Sequence, residues 1–155
     1  MTLTDDMKRI IAEQRLGFVA TASRDGAPNV SPKATFVVLD DETIAFGEIR
    51  SPGTLKNLDE NPLVEVNFVD QFVRRGYRFA GKATVIQRGD DAFDGLLGKF
   101  RNKIAERFRA IVTITVSKAR PLTSPAYDDG ATEDELRRGW TTYFRELQPD
   151  QRFEE

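Results

Sequence analysis

Phe18-Val19-Ala20-Thr21-Ala22, followed by Arg24-Asp25-Gly26-Ala27 and then by Asn29 to Leu39, is a strand, a turn and a second strand with no helix between them. Asp-Gly between two apolar runs is a hairpin signal, because glycine tolerates the positive φ that a tight reversal requires. The pairing is therefore expected to be antiparallel. Pro32 inside the second run cannot donate to a ladder, so it marks an edge or a bulge. Asp40-Asp41 turns the chain again, and Thr43 to Gly47 is a third short strand.

Outward from this hairpin the chain alternates little. Before it, Leu3, Met7, Ile10 and Ile11 recur at helical spacing, with Gly17 as the stop. After it, Ser51-Pro52-Gly53-Thr54-Leu55-Lys56-Asn57-Leu58 opens a short helix that Ser51 or Thr54 can cap and Asn61-Pro62 ends. Leu63 to Phe68 and Tyr77 to Ile86 are strands four and five, and Gly81 marks a bulge or a close backbone approach. Asp90 to Arg107 reads as a helix with Phe93, Leu97, Phe100 and Ile104 on one stripe. Ala110-Ile111-Val112-Thr113-Ile114-Thr115-Val116 is a strand by its β-branched content, and Pro121 and Pro125 break the chain beyond it. Thr132 and Glu135 form a capping box for a last helix, about 132–147, carrying Leu136, Trp140, Phe144 and Leu147. The tail is polar and reads as frayed. Six strands with short connections and no βαβ repeat predict a mainly β chain with peripheral helices: one antiparallel barrel domain over residues 1–155.

Composition narrows the chemistry. The 155 residues include no cysteine and no histidine. That removes thiolate nucleophiles, Cys or His metal ligands and every imidazole-based mechanism. Lys and Arg number 23 against 25 Asp and Glu, a net charge of -2 that gives no general nucleic-acid signal. The opening Met1-Thr2-Leu3-Thr4-Asp5-Asp6 lacks the basic and apolar regions of a signal peptide, and no run approaches the roughly 20 apolar residues of a membrane span. A cytoplasmic setting without a membrane partner is expected.

Two places can bind anions. The helix start at Ser51 and Thr54 offers unpaired N–H groups, two hydroxyls and the neighbouring cations Arg50, Lys56 and Lys33. Ordinary helix capping is the plain alternative. Arg74, Arg75 and Arg78 surround Tyr77 and suit either a phosphate clamp or a solvated loop. Asp128 and Asp129 read as a turn rather than a metal site, and Trp140 and Phe144 as core or subunit interface.

From Gly17 to Ile86 the chain resembles the pyridoxamine 5'-phosphate oxidase-like family of FMN-binding split barrels. The matching pieces are Gly17-Phe18-Val19-Ala20-Thr21, Asp25-Gly26-Ala27-Pro28, Val30-Ser31-Pro32-Lys33, Thr54-Leu55-Lys56-Asn57-Leu58, Asn61-Pro62 and Tyr77-Arg78-Phe79-Ala80-Gly81-Lys82-Ala83. The resemblance implies a six-stranded split β-barrel and a homodimer with FMN at the subunit interface. It implies a phosphate held at Arg50–Asn57 and a flavin lying along the Val30–Thr35 strand. The cofactor contacts expected on this basis are Val30, Ser31, Lys33, Arg50, Ser51, Thr54, Leu55, Asn57, Arg75 and Lys82, with no catalytic side chain and no metal. The implied activity is flavin-dependent oxidoreduction of a small molecule, with NAD(P)H or another small reductant as donor.

The chain departs from the family pattern in two places. Pro52-Gly53-Thr54 stands where members often carry two basic side chains, which leaves room for the deazaflavin F420 as an alternative cofactor. The C-terminal segment reads Trp140-Thr141-Thr142-Tyr143-Phe144 where true pyridoxamine phosphate oxidases use basic residues and a histidine, so neither pyridoxamine phosphate oxidation nor haem ligation through histidine is expected. A non-catalytic flavin carrier or sensor, and a nucleic-acid-binding barrel resting on the three arginines, are the remaining alternatives.

Overall fold

In a computed structural model, residues 1–100 and 103–148 are described. Seven strands form one antiparallel sheet: β1 (Gly17–Ala22), β2 (Pro28–Lys33), β3 (Phe36–Val38), β4 (Thr43–Glu48), β5 (Leu63–Asp70), β6 (Arg75–Gln87) and β7 (Ala110–Thr123). Their order is β2-β1-β5-β6-β7-β4-β3. The helices are α1 (Asp5–Gln14), α2 (Pro52–Glu60), α3 (Phe93–Leu97) and α4 (Glu133–Leu147).

The sheet has β2 at one edge and β3 at the other, yet only Ala34 and Thr35 separate them in sequence. Two edges tied by so short a link must come together, so the sheet curls into a barrel split along this seam. This is the seventh strand that the expectation of six lacked: Asn29 to Leu39 is two strands, not one. Pro32 lies in the edge strand β2, where its missing N–H costs no ladder bond. The Asp25-Gly26 reversal is present, with Gly26 at φ 83° and Ser23 N–H donating to Ala27 O at 3.0 Å. Gly81 marks the register shift in the β6–β7 ladder, and a Cβ there would lie 2.3 Å from Thr115 O.

Inside the barrel Val19, Ile44, Phe46, Phe68, Phe79 and Ile114 are buried, and α1 closes one mouth with Met7, Ile10 and Ile11. Thr4 caps α1 by accepting from Met7 N. Its stop is Arg15 in the left-handed region (φ 58°), not Gly17. Gly17 is needed instead for the seam, since a Cβ there would sit 2.6 Å from the Phe36 ring. A second cluster, Ala45, Phe93, Phe100, Phe108 and Ile111, covers the outer face of β4 and β7.

Three further expectations change. The helix expected over Asp90 to Arg107 is only α3, with a 3-10 segment at Lys103–Arg107; residues 101–102 lie outside the described part. Gly95 and Gly98 explain the interruption, each costing about 1 kcal/mol in a helix interior. Pro121 does not break the chain, because β7 continues to Thr123. Beyond the Thr43–Thr115 pair β4 has ended, so that side of β7 carries no strand and needs no donor from Pro121. The expected box caps α4, with Thr132 and Glu135 bonded reciprocally, but α4 buries no residue, so Trp140 and Phe144 are not core. Trp140 instead stacks on Arg74, whose guanidinium carbon is 3.6 Å from the ring centroid. The polar tail, 149–155, lies outside the described residues.

Two glycines should respond oppositely to alanine. A Cβ on Gly76 would lie 1.9 Å from the Phe68 carbonyl oxygen, whereas one on Gly139 in α4 meets nothing within 4 Å. Urea titration should show Gly76→Ala losing about 3 kcal/mol. Gly139→Ala should be neutral or gain up to about 1 kcal/mol.

Candidate anion site at the barrel seam

The last residue of β2 is Lys33. Its register opposite Gly17 turns its side chain inward, and it is only 9 % exposed. Its Nζ donates to Ser31 Oγ at 2.8 Å and to Ser51 Oγ, and lies 5.8 Å from the centre of the Phe46 ring. Burial pushes the Lys33 pKa below 10.5, and the charge of Glu48 partly opposes that shift.

Ser51 is the residue before α2, but its hydroxyl does not cap the helix. It faces Lys33 and donates to Glu48 Oε1 at 3.2 Å, and the Ser51 amide also donates to Glu48 Oε1. Pro52 occupies the first helical position, where no N–H is needed. A Cβ on Gly53 would meet only Asn29 Oδ1, at 4.0 Å, so the helix start opens onto free space. Arg50 beside it is exposed and makes no ion pair among the described residues.

Behind this rim lies a polar floor. Thr54 is 1 % exposed and its Oγ1 accepts from Asn29 Nδ2 at 3.4 Å. Thr21 Oγ1 accepts from Asn57 Nδ2 at 3.1 Å and from Asn29 Nδ2 at 3.5 Å. These bonds lock α2 against β1 and β2, which fixes where its N-terminus points.

Glu48, Arg109, Thr21 and Asn29 were not singled out from the sequence. Glu48 ends β4 and is fully buried. Arg109 Nη2 lies 3.2 Å from its Oε1, while Oε2 has no hydrogen-bond partner among the described residues. Burial would raise the Glu48 pKa; the Ser51 amide and the Arg109 guanidinium outweigh it and hold the group below its ordinary 4.5. The only sequence signal was a charged residue closing the apolar run Ile44-Ala45-Phe46-Gly47.

Of the ten residues expected at a cofactor, the structure brings Ser31, Lys33, Arg50, Ser51 and Thr54 to this corner. Leu55 and Asn57 lie further along α2, Leu55 half-buried against the core and Asn57 in the floor. Val30 is 62 % exposed on the outer face of β2. Arg75 and Lys82 are not brought there within one chain. Arg75 is 4.0 Å from the Tyr127 ring centre and 3.3 Å from Glu133, and Lys82 is exposed beside Leu63. The arginine cluster is divided too: Arg74 meets Trp140, and Arg78 meets Asn67 at 3.0 Å and Glu65 at 3.7 Å.

Set beside known proteins, the chain matches the family model for pyridoxamine 5'-phosphate oxidase over residues 3–139 and belongs to that family. It is 34 % identical over 93 residues to an uncharacterized protein of Methanocaldococcus jannaschii; the match covers 57 % of this chain and 59 % of that one. Among solved structures it is similar to HupZ of Group A Streptococcus, with a TM-score of 0.65, 30 % identity, and 79 % and 95 % of the two chains covered. An FMN-binding protein of Syntrophomonas wolfei shares the fold at a TM-score of 0.64 and 15 % identity, covering 76 % of this chain and 84 % of that one. An F420 reductase does so at 0.59 and 18 %, covering 76 % and 98 %.

The Glu48 shift has a definite sign for stability. Because the folded value lies below the unfolded one, the contribution is complete above about pH 4.5 and is lost as pH falls through the folded value. Urea midpoints followed from about pH 6 down to about pH 3 should fall more steeply for the native chain than for Glu48→Gln. Parallel curves would remove Glu48 from the acid transition.

Proposed function

We propose that this protein is an FMN-binding, flavin-dependent oxidoreductase acting on a small molecule, working as a homodimer. The observation that carries the reading is the corner where Lys33, Ser51 and the open start of α2 converge. A lysine, a hydroxyl, a helix N-terminus and an arginine that makes no ion pair among the described residues form a donor set that suits a phosphate. Family membership and the FMN-binding structural relative support the same cofactor.

When bound, the flavin supplies hydride transfer, so no side-chain acid, base or thiol is required for that step. The chain's own residues bind and orient. Lys33 and Ser51 hold the phosphate from the β2 side. Arg50 closes over it from solvent, and of the first α2 amides Gly53 N–H is left to meet it, because Pro52 has none and Thr54 and Leu55 donate to Ser51 O at 3.1 and 3.4 Å. The Thr21–Asn29–Asn57–Thr54 floor keeps α2 from shifting. The strand Val30 to Lys33 then lies under the ring system.

The dimer is supported by the outer face of β1, β2 and β5. Phe18 is 46 % exposed, Val30 62 % and Leu63 65 %, and the strand registers place all three on one face. Such a patch is what a subunit interface covers. The second reading within the fold is an F420-dependent reductase, favoured by the Pro52-Gly53-Thr54 segment and the F420 reductase relative. NAD(P)H or another small reductant is the proposed electron donor.

Equilibrium titration with FMN tests the phosphate corner. Arg50→Ala and Thr54→Ala should each weaken binding, at least one of them by tenfold, about 1.4 kcal/mol. If neither does, the phosphate lies elsewhere. Sedimentation should show a dimer that Leu63→Glu converts to monomers; a monomeric native chain would remove the subunit-interface site.

A further inference from the structure

Relative to the donor set at the seam, Glu48 has the wrong sign for an anion site. Its carboxylate accepts from the Ser51 amide and the Ser51 hydroxyl, and that hydroxyl in turn receives Lys33. Glu48 thus occupies part of the coordination an incoming phosphate would use. It cannot swing into solvent without leaving its buried site, because it is fully enclosed and tied to Arg109 at 3.2 Å. Its second oxygen, Oε2, is buried with no partner among the described residues. An unpaired buried carboxylate oxygen retains its negative potential, which no hydrogen bond disperses.

We infer that Glu48 is a specificity-determining residue that sets the charge of the phosphate this corner accepts, favouring a singly charged phosphodiester over a doubly charged phosphomonoester. The inference rests on the proposed reading of this corner as a cofactor phosphate site, and between its two candidates it favours the second, F420, over FMN. Lys33 supplies one buried positive charge and Glu48 one buried negative charge, so the enclosed pair is neutral before a ligand arrives. Arg109 bonds the Glu48 carboxylate from a side chain that is 56 % exposed, and Arg50 is exposed, so both act in a higher dielectric. A phosphomonoester carries close to two negative charges above its second pKa near 6, whereas a phosphodiester carries one at any neutral pH. A phosphate on Lys33 and Ser51 would be one residue removed from the Glu48 carboxylate, which the Ser51 amide and hydroxyl already bond, so the added charge would be repelled by it. FMN is a phosphomonoester and F420 a phosphodiester, so the residue bears directly on which of the two cofactors the corner prefers.

The test uses the intact native chain and Glu48→Gln, titrated at about pH 8 with three probes: riboflavin, FMN and the monomethyl phosphodiester of FMN. The last two share a ring system and differ in phosphate charge. In the native chain the methyl ester should bind at least as tightly as FMN. In Glu48→Gln, FMN should gain about tenfold relative to the ester, with riboflavin unchanged in both proteins. The native chain gives a second reading that needs no variant: its preference for the ester should vanish as pH falls to about 5, where FMN also becomes singly charged. If FMN binds more tightly than the ester at about pH 8 by the same factor in both proteins, or if the native preference is independent of pH, the inference is overturned. If none of the three probes binds either protein, the flavin reading itself fails, which is a separate result.

Discussion

The structure turns on a two-residue link. Ala34 and Thr35 carry the chain from β2, at one edge of the sheet, to β3, at the other. Three backbone steps from Lys33 to Phe36 reach at most about 11 Å. The edges must therefore meet at this corner, and a seven-stranded sheet whose edges meet is a barrel. Side-chain groups replace the missing ladder at the seam. Thr35 Oγ1 donates to Gly47 O at 2.7 Å and accepts from Gly47 N at 3.1 Å, bridging the link to β4. The Phe36 ring packs against Gly17 and edge-on to Phe68, 4.9 Å between centroids, filling the gap from inside.

The candidate anion corner arises from the same constraint. The residue that ends β2 is held at the seam by the crossover, and that residue is Lys33. The strand after β3 returns along it, so the end of β4 delivers Glu48, and the turn beyond delivers Ser51 and the start of α2, to the same place. Thr21, Asn29, Thr54 and Asn57 pin α2 to β1 and β2 through one buried and two half-buried bonds. A site formed at a strand crossover is positioned as rigidly as the barrel itself, which is what recognition of a small charged group requires.

Signals confined to a few residues were legible in the sequence. Asp25-Gly26 as a reversal, Gly81 as a bulge, Pro32 on an edge and Thr132 with Glu135 as a cap each come from local backbone chemistry, and each is present. Features decided by closure of the barrel were not. Ala34-Thr35 contains no glycine or proline to announce a break, because the break is imposed by where β3 must go. Pro121 signals an interruption that the end of β4 makes unnecessary. The arginines at 74, 75 and 78 form one cluster in sequence, but alternation along β6 and the approach of α4 send them to different partners. Glu48 was the largest omission at the site. An acidic residue ahead of Arg50-Ser51-Pro52 reads as part of a solvated turn, and only the fold shows it fully buried.

That buried carboxylate also explains how the chain tolerates Lys33. A lysine ammonium taken out of water without a counter-charge costs several kcal/mol, and the downward shift of its pKa records that penalty. Glu48 offsets part of it through Ser51 while Arg109, the Ser51 amide and the Ser51 hydroxyl keep Glu48 ionised. The pair therefore lets a cation and an open helix N-terminus stand at the barrel seam without a ligand to neutralise them. The same balance limits what they can do for a ligand, since each positive charge compensated within the fold is one fewer for a phosphate. With neither histidine nor cysteine in the chain, no imidazole or thiol is present to relax that balance by taking up or releasing a proton. Lys33, Glu48, Arg50 and Arg109 set the charge of the corner, and under the proposed reading the ligand's own charge is what such a balance would discriminate.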